Sequence, residues 1–243
     1  MSKAATEELG FIEISAYPCK DTNVFSFYAT ADKITIDWGD GCIDTLTPNE
    51  TMREFSHKYA TQNLYTVRVS VEGLTEYIAL AGYFIKLKIE NCLYLNRVDC
   101  NCKKLTTLDI GDAPALTILR CRGNELTSLD VSKYPALINL DCSGNKLTSL
   151  NLDNPTLIIL NCSENQLTSL DVSKCTTLIG LECNNNRLSA DALNELFHSL
   201  HSNEIYDFIK YIWIDNNLGR RGYSWNTPKC DVDIAEDKGW QIN

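Results

Sequence analysis

Eleven cysteines and three histidines are the residues of this 243-residue chain whose types could ligate a metal, close disulfides or act as nucleophiles. Five of the cysteines keep a beat: Cys100, Cys121, Cys142, Cys162 and Cys183 are separated by 21, 21, 20 and 21 residues. Each stands two residues after an apolar residue, as in Leu140-Asp-Cys142. In an extended segment, alternate side chains share a face, so the Leu and Cys point together into an apolar interior. Equivalent residues on stacked strands lie about 4.8 Å apart, too far for a pair to share one zinc without adjustment. The expectation is therefore core packing, in which a free thiol behaves as a small hydrophobe. Each column Cys has two equal neighbours, which argues against disulfides within the column. Cys19, Cys42, Cys92, Cys102, Cys175 and Cys230 lie off the column, and a disulfide among them stays open.

The remaining candidates are weaker. His198 and His201, at i and i+3, could hold a metal on a helix, but no carboxylate or Cys completes the set, and an exposed helix face is expected. Asp37, Asp40 and Glu50 could bind calcium, although Asp at a turn commonly serves the turn itself. His57 is expected to hydrogen-bond within its domain. There is no Gly-x-Ser-x-Gly, no P-loop, no dinucleotide fingerprint and no His-Glu-x-x-His. No catalytic residue, metal or cofactor is expected.

The elements that position the thiols repeat with them. Leu95, Leu116, Leu137, Leu157 and Leu178 form one column; Leu105, Leu126, Leu147, Leu167 and Leu188 form a second; Asn124, Asn145, Asn165 and Asn186 form a third. Leu137-Ile-Asn-Leu140-Asp-Cys142-Ser-Gly-Asn145-Lys-Leu147 carries the leucine-rich-repeat pattern with Cys at its third apolar position. One coil cannot bury its own leucines, so coils must stack. The Asn falls where the chain turns, and its amide can satisfy backbone groups that no ladder reaches. A second triplet, as in Leu126-Thr-Ser-Leu129-Asp-Val131, forms the opposite, extended wall. One residue is lost between Leu152 and Leu157, beside Pro155. Degenerate coils begin earlier, with Leu74, Tyr77 and Ala79 and with Phe84, Leu87 and Ile89, each 21 residues before its counterpart; Lys103 holds the Asn position there. Ser189 can N-cap a helix from Ala190 to about Ser202, with Leu193, Leu196, Phe197 and Leu200 as its apolar stripe. Ile212-Trp-Ile214 reads as a last strand. A short helix ending at Gly239 would bring Trp240 and Ile242 over the open end.

Before the repeats the texture changes. Phe11–Ile14, Val24–Tyr28, Ile34–Trp38 and Tyr65–Val71 alternate apolar and polar residues, as strands do. Trp38-Gly-Asp-Gly41 is a hairpin turn of the Asp-Gly type. The expected fold is mainly β with minor α: a tail over 1–9, a β-sandwich over 10–73, a solenoid of 20–21-residue coils over 74–188 and a helical capping region over 189–243. Ile36-Asp-Trp-Gly-Asp-Gly, Phe55-Ser-His57-Lys-Tyr59 and Tyr65-Thr-Val-Arg-Val resemble the PKD domain. That likeness implies an immunoglobulin-like sandwich used as a spacer or carbohydrate-adjacent module. The Leu-Thr-Ser-Leu-Asp-Val-Ser and Leu-x-Cys-x-x-Asn runs, with the closing Lys238-Gly-Trp-Gln-Ile, are similar to leucine-rich surface proteins of Bacteroidetes. Their likeness implies export, surface anchoring and protein binding.

What remains for function is a surface. The outward column between Leu and Cys reads Asp99, Arg120, Asp141, Asn161, Glu182, and the next reads Asn101, Arg122, Ser143, Ser163, Asn184. Arg120 and Arg122 share one coil, and Arg is frequent at interfaces. Ile118, Ile138, Ile158, Ile159 and Ile179 would add an apolar strip where they face outward. Asp99, Arg120, Arg122, Asp141, Asn161 and Glu182 are therefore the candidate partner-binding residues. A solvated wall of ion pairs within the array is the plain alternative. A net charge of -10 and a pI near 4.8 argue against nucleic acid and anionic membranes. No apolar run is long enough to span a bilayer. The start lacks the apolar stretch of a signal peptide, which leaves a cytoplasmic protein or a trimmed export signal. The expected function is non-enzymatic recognition or adhesion through the strand face. An intracellular scaffold or inhibitor, and glycan binding by the sandwich, are the alternatives.

Overall fold

The computed structural model describes residues 9–47, 51–101, 104–203, 209–215, 217 and 230–242, with the backbone alone at 80 and 81. The chain divides into two compact units, Met1–Leu116 and Thr117–Asn243.

In the first unit, β1 (Gly10–Tyr17), β2 (Val24–Thr30), β3 (Lys33–Asp37), β4 (Ile43–Leu46), β5 (Arg53–Lys58), β6 (Tyr65–Glu72), β7 (Glu76–Ala81), β8 (Tyr83–Glu90), β9 (Arg97–Asp99) and β10 (Thr107–Asp109) form two sheets. One sheet runs β10-β8-β1-β6-β3-β4 and the other β9-β7-β2-β5. Alternation explains them. Ile12 and Ile14 of β1, Ile34 and Ile36 of β3, and Val67, Val69 and Val71 of β6 are buried on one side of the first sheet. Phe25 and Phe27 of β2 meet that layer from the second sheet. Phe25 lies 4.9 Å from Phe84 of β8, and Phe27 lies 6.3 Å from Trp38, ring centre to ring centre. Phe84 and Leu87 are both buried although three apart, because a bulge between Ser15 and Ala16 shifts the β1–β8 register.

The predicted degenerate coils have a double role. β7 pairs antiparallel with β2 and parallel with β9, and β8 pairs antiparallel with β1 and parallel with β10. The parallel registers place Tyr77 beside Val98 and Leu87 beside Leu108, the 21-residue step seen in the sequence. Residues 76–90 are thus strands of the front sheets and also the first turn of the repeat. Lys103 and Cys102 lie outside the described residues.

In the second unit, β11 (Ile118–Arg120), β12 (Asn139–Asp141), β13 (Ile159–Asn161), β14 (Gly180–Glu182), β15 (Lys210–Trp213) and β16 (Trp240–Ile242) form a parallel sheet in that order. Each coil lays Leu beside Leu: Leu119, Leu140, Leu160, Leu181 and Ile212 stand in one register. The unit is a leucine-rich-repeat-like solenoid. The opposite wall is extended with little strand pairing; among the described residues one isolated bridge, Asp130 to Asn151, marks it.

Helix α1 (Ala190–Ser199) starts where expected, with Ser189 Oγ accepting the Ala192 N–H at 3.1 Å. It ends earlier than Ser202, because Leu200 adopts extended backbone with ψ 138°. Lys238 stabilises that end by donating to the carbonyls of His198 and Leu200, a favourable place for a cation. Helix α2 (Asp233–Glu236) is followed by Gly239 at φ +77°, and Trp240 then enters β16, buried, with its indole N–H on the His201 carbonyl.

Candidate functional site

Cys121, Cys142, Cys162 and Cys183 are fully buried, as is Cys100 in the first unit. The described cysteines are free thiols. Burial pushes the Cys142 and Cys162 thiols far up and Cys183 to about 12. These sulfurs pack in the interior as small apolar groups.

The Asn column closes the polar groups at the turn. Asn145 Nδ2 donates to the carbonyls of Cys121 and Cys142 at 3.0 Å each, and its Oδ1 accepts the Leu126 N–H at 3.0 Å. Asn165 does the same for Cys142, Cys162 and Leu147, and Asn186 for Cys162, Cys183 and Leu167. Each amide therefore joins its own coil to the one before it. Where one residue is missing after Leu152, Asn154 occupies a buried place and donates to the carbonyls of Val131 and Tyr134 at 3.0 and 2.9 Å.

The outward face follows from the same registers. Arg120, Asp141, Asn161, Glu182 and Trp213 are paired in sequence along the parallel strands and form one column. Ile118, Asn139, Ile159, Gly180 and Tyr211 form the column two residues earlier on the same face. The first four members of the acidic column are half-buried, and Arg122 is exposed just beyond β11. Asp99 is half-buried at the end of β9 in the first unit, 3.8 Å from Arg97.

Several expectations need correction. Ser143 and Ser163 do not face outward: both are buried, each N–H and Oγ–H donating to Oδ1 of Asp141 or Asn161 in a tight side-chain turn. The isoleucines do not make one strip. Ile118 and Ile159 belong to the sheet face, whereas Ile138, Ile158 and Ile179 stand one residue earlier, linked by successive backbone bonds. Of these, Ile138 is the most open, at 40% exposure. His201 is not on an exposed helix face. It follows α1, half-buried, with Nε2 2.7 Å from the Leu178 carbonyl and Nδ1 3.2 Å from the Asn203 N–H. His198 is exposed.

Tyr211 and Trp213 were missed. Their flanking residues Ile212 and Ile214 take the Leu and Cys places, so Tyr211-Ile-Trp213-Ile already contained the signal for two outward aromatics. Gly180 makes room for Tyr211: a Cβ there would come within 2.5 Å of the phenol oxygen. Trp213 is 45% exposed. Beside them, Glu182 accepts from Asn161 Nδ2 at 2.7 Å. Burial, and then the negative charge of Asp141, raise the Glu182 carboxyl above its ordinary value, with Arg122 opposing. Burial and Glu182 likewise raise the Tyr211 phenol. The face thus joins two aromatics to two carboxylates that repel each other.

Asp37 and Asp40 each cap a loop N–H, of Gly39 at 2.9 Å and of Cys42 at 3.1 Å, and Glu50 lies outside the described residues. The loop is wider than a two-residue Asp-Gly turn, since Asp37 pairs with Ile43 and Trp38 N–H bonds the Cys42 carbonyl. His57 makes its expected bond, Nε2 to Asp40 Oδ2 at 2.8 Å.

No known family profile matches the chain, and no curated protein matches it in sequence. A solved structure, the functional domain of InlJ from Listeria monocytogenes, described as including a cysteine ladder, is 26% identical with a TM-score of 0.43. The match covers 68% of this chain and 42% of that one, so the chain spans less than half of that neighbour's length.

Proposed function

We propose that the chain is a non-enzymatic recognition protein that binds another protein through the outward strand face of residues 118–213. The observation that carries this reading is the aromatic pair Tyr211 and Trp213, with Trp213 directly beside Glu182 and Asp141 two strands beyond Glu182 in the same column. Interface energy concentrates in aromatic anchors, and a pair of mutually repelling carboxylates gains from a cation placed between them. The partner is therefore expected to present a basic side chain flanked by apolar surface. Arg120 and Arg122 bound the other end of the face and would set orientation. In this reading the boundary between modules lies near residue 74. The front module is of PKD type and acts as a spacer, and the protein works at a cell surface or after secretion. Among the described residues no helix is long and apolar enough to cross a membrane.

The test is capture of a partner by the full chain. Trp213→Ala, and separately Arg120→Glu with Arg122→Glu, should release a partner that wild type holds. A Lys133→Glu control on the far wall should not. Capture undiminished in both face variants would refute the site. A second reading, an intracellular scaffold or inhibitor using the same face, is favoured by the free thiols of Cys19 and Cys42, since open thiols persist in reducing compartments. Thiol analysis of protein from its native host separates the two: oxidised Cys19 and Cys42 support the surface reading.

A further inference from the structure

We propose that the β3–β4 loop and β5 together form a site for a divalent transition metal of the zinc class, held by Asp40, Cys42 and His57. One ligand atom from each of the three lies within 4.8 Å of the other two. Ligands around one tetrahedral zinc stand about 3.5 Å apart, so small side-chain movements complete the geometry. Nε2 of His57 already faces Oδ2 of Asp40 at 2.8 Å. A metal ion would take the place of the proton they share.

The frame is fixed before any ion arrives. Gly39 and Gly41 adopt φ of +79° and +97°, which folds the loop back on itself. A Cβ on Gly39 would come within 2.4 Å of the Thr66 carbonyl, so the loop base is seated on β6. The His57 ring stacks on Trp38 at 5.1 Å and meets the edge of Tyr59 at 4.6 Å. The Tyr59 hydroxyl donates to the Trp38 carbonyl at 2.7 Å, and the Trp38 indole N–H to Asp44 Oδ2 at 2.8 Å. Held in this way, His57 cannot turn away from the loop.

The donor set selects the ion. One sulfur, one imidazole nitrogen and one carboxylate suit zinc, cobalt or copper and do not suit calcium or magnesium, which take oxygen shells. Asp44 is engaged by Trp38, so three protein ligands leave a fourth position to solvent, an open site. Cys42 would bind as the thiolate, so metal uptake releases the thiol proton.

The experiment is titration of the full, reduced chain with Co²⁺, read by sulfur-to-cobalt charge-transfer absorption and by competition with Zn²⁺. Wild type should take up one equivalent with that band, and excess Ca²⁺ should not displace it. Cys42→Ser, a change at an exposed position that leaves the other ten cysteines in place, should abolish the band. His57→Gln should weaken uptake at least about tenfold, with circular dichroism verifying the fold. Absence of the band in wild type, its persistence in Cys42→Ser, or unchanged affinity in His57→Gln would each overturn the proposal.

Discussion

The two units bury their apolar residues by different means. In the first, Phe25, Phe27, Trp38, Phe55, Tyr77 and Phe84 meet as a single aromatic cluster. In the second, the same three residues, Leu, Cys and Asn, recur in coil after coil, each meeting its own copy. An irregular core depends on shape complementarity among a few large side chains. A repeated core depends on register, and register requires the turns to be closed identically each time. The Asn amides do that closing, so a polar residue is as much part of the solenoid's core as its leucines.

Thiol labelling tests this contrast with the largest expected effect. In the first unit Cys42 is exposed and Cys19 half-exposed; in the second, Cys142, Cys162 and Cys183 are buried. A hydrogen bond from the Asp21 backbone lowers the Cys19 thiol, whereas the Asp40 contact raises that of Cys42. Iodoacetamide followed by peptide mass spectrometry should therefore modify Cys19 first and Cys42 more slowly. The column thiols should react only through unfolded molecules, roughly a thousandfold or more slower. Column thiols labelled at the rate of Cys42 would mean that the coils do not stack.

Next come two substitutions that compare the cores directly. Phe27→Ala removes the ring that touches Phe25, Trp38, Phe55 and Tyr77, and should cost about 3–5 kcal/mol. Asn165→Ala deletes no large apolar surface. It leaves the Leu147 N–H without its acceptor and removes one of the two side-chain donors at each of the Cys142 and Cys162 carbonyls, which keep Asn145 and Asn186. At the cost of a buried group left unpaired, the single orphaned N–H sets the loss at about 1–3 kcal/mol. Urea unfolding, with amide exchange to localise each loss, measures both. An Asn165→Ala protein within about 0.5 kcal/mol of wild type, the range of an ordinary surface change, would remove the Asn from the core.

The same contrast decides what could be read from sequence. Periodicity exposed the second unit almost entirely, including inward Leu and Cys, the Asn turn and the lost residue near Pro155, because identical environments repeat identical residues. It could not tell that Ser143 turns inward, since that depends on the Asp141 side chain and not on spacing. Tyr211 and Trp213 lay in plain alternation, but a 31-residue step from Leu181 to Ile212, broken by α1, hid the continuity of their column. In the first unit, alternation revealed β1, β2, β3 and β6. The double pairing of β7 and β8 was hidden, because one residue pattern served two neighbours, antiparallel on one side and parallel on the other. The Asp40, Cys42 and His57 cluster was invisible for the same reason: β5 reaches the loop only through tertiary pairing.

Acid sharpens the comparison with the smallest effect. His201 in the second unit donates from Nε2 to the Leu178 carbonyl and accepts the Asn203 N–H on Nδ1, an arrangement that only the neutral ring can make. Burial holds its pKa below the ordinary 6.5; the Leu178 bond opposes this, and the charges of Lys210 and Lys238 reinforce it. Between the folded and unfolded values the unfolded chain binds more protons, so stability rises with pH there. The contribution is complete above about 6.5 and is lost as pH falls through the lower folded value. In the first unit the corresponding group is Asp40. Burial works against its ionisation, but the His57 contact and the Cys42 N–H outweigh that and lower it from 3.8. Its contribution holds above that value and is lost only in stronger acid. Amide exchange around β14 and α1 should therefore quicken between neutral and mildly acidic pH while β3 and β5 remain protected. His201→Gln, which keeps a donor for Leu178 but does not titrate, should flatten the response of the second unit alone. An unchanged pH response in that variant would show that another group carries it.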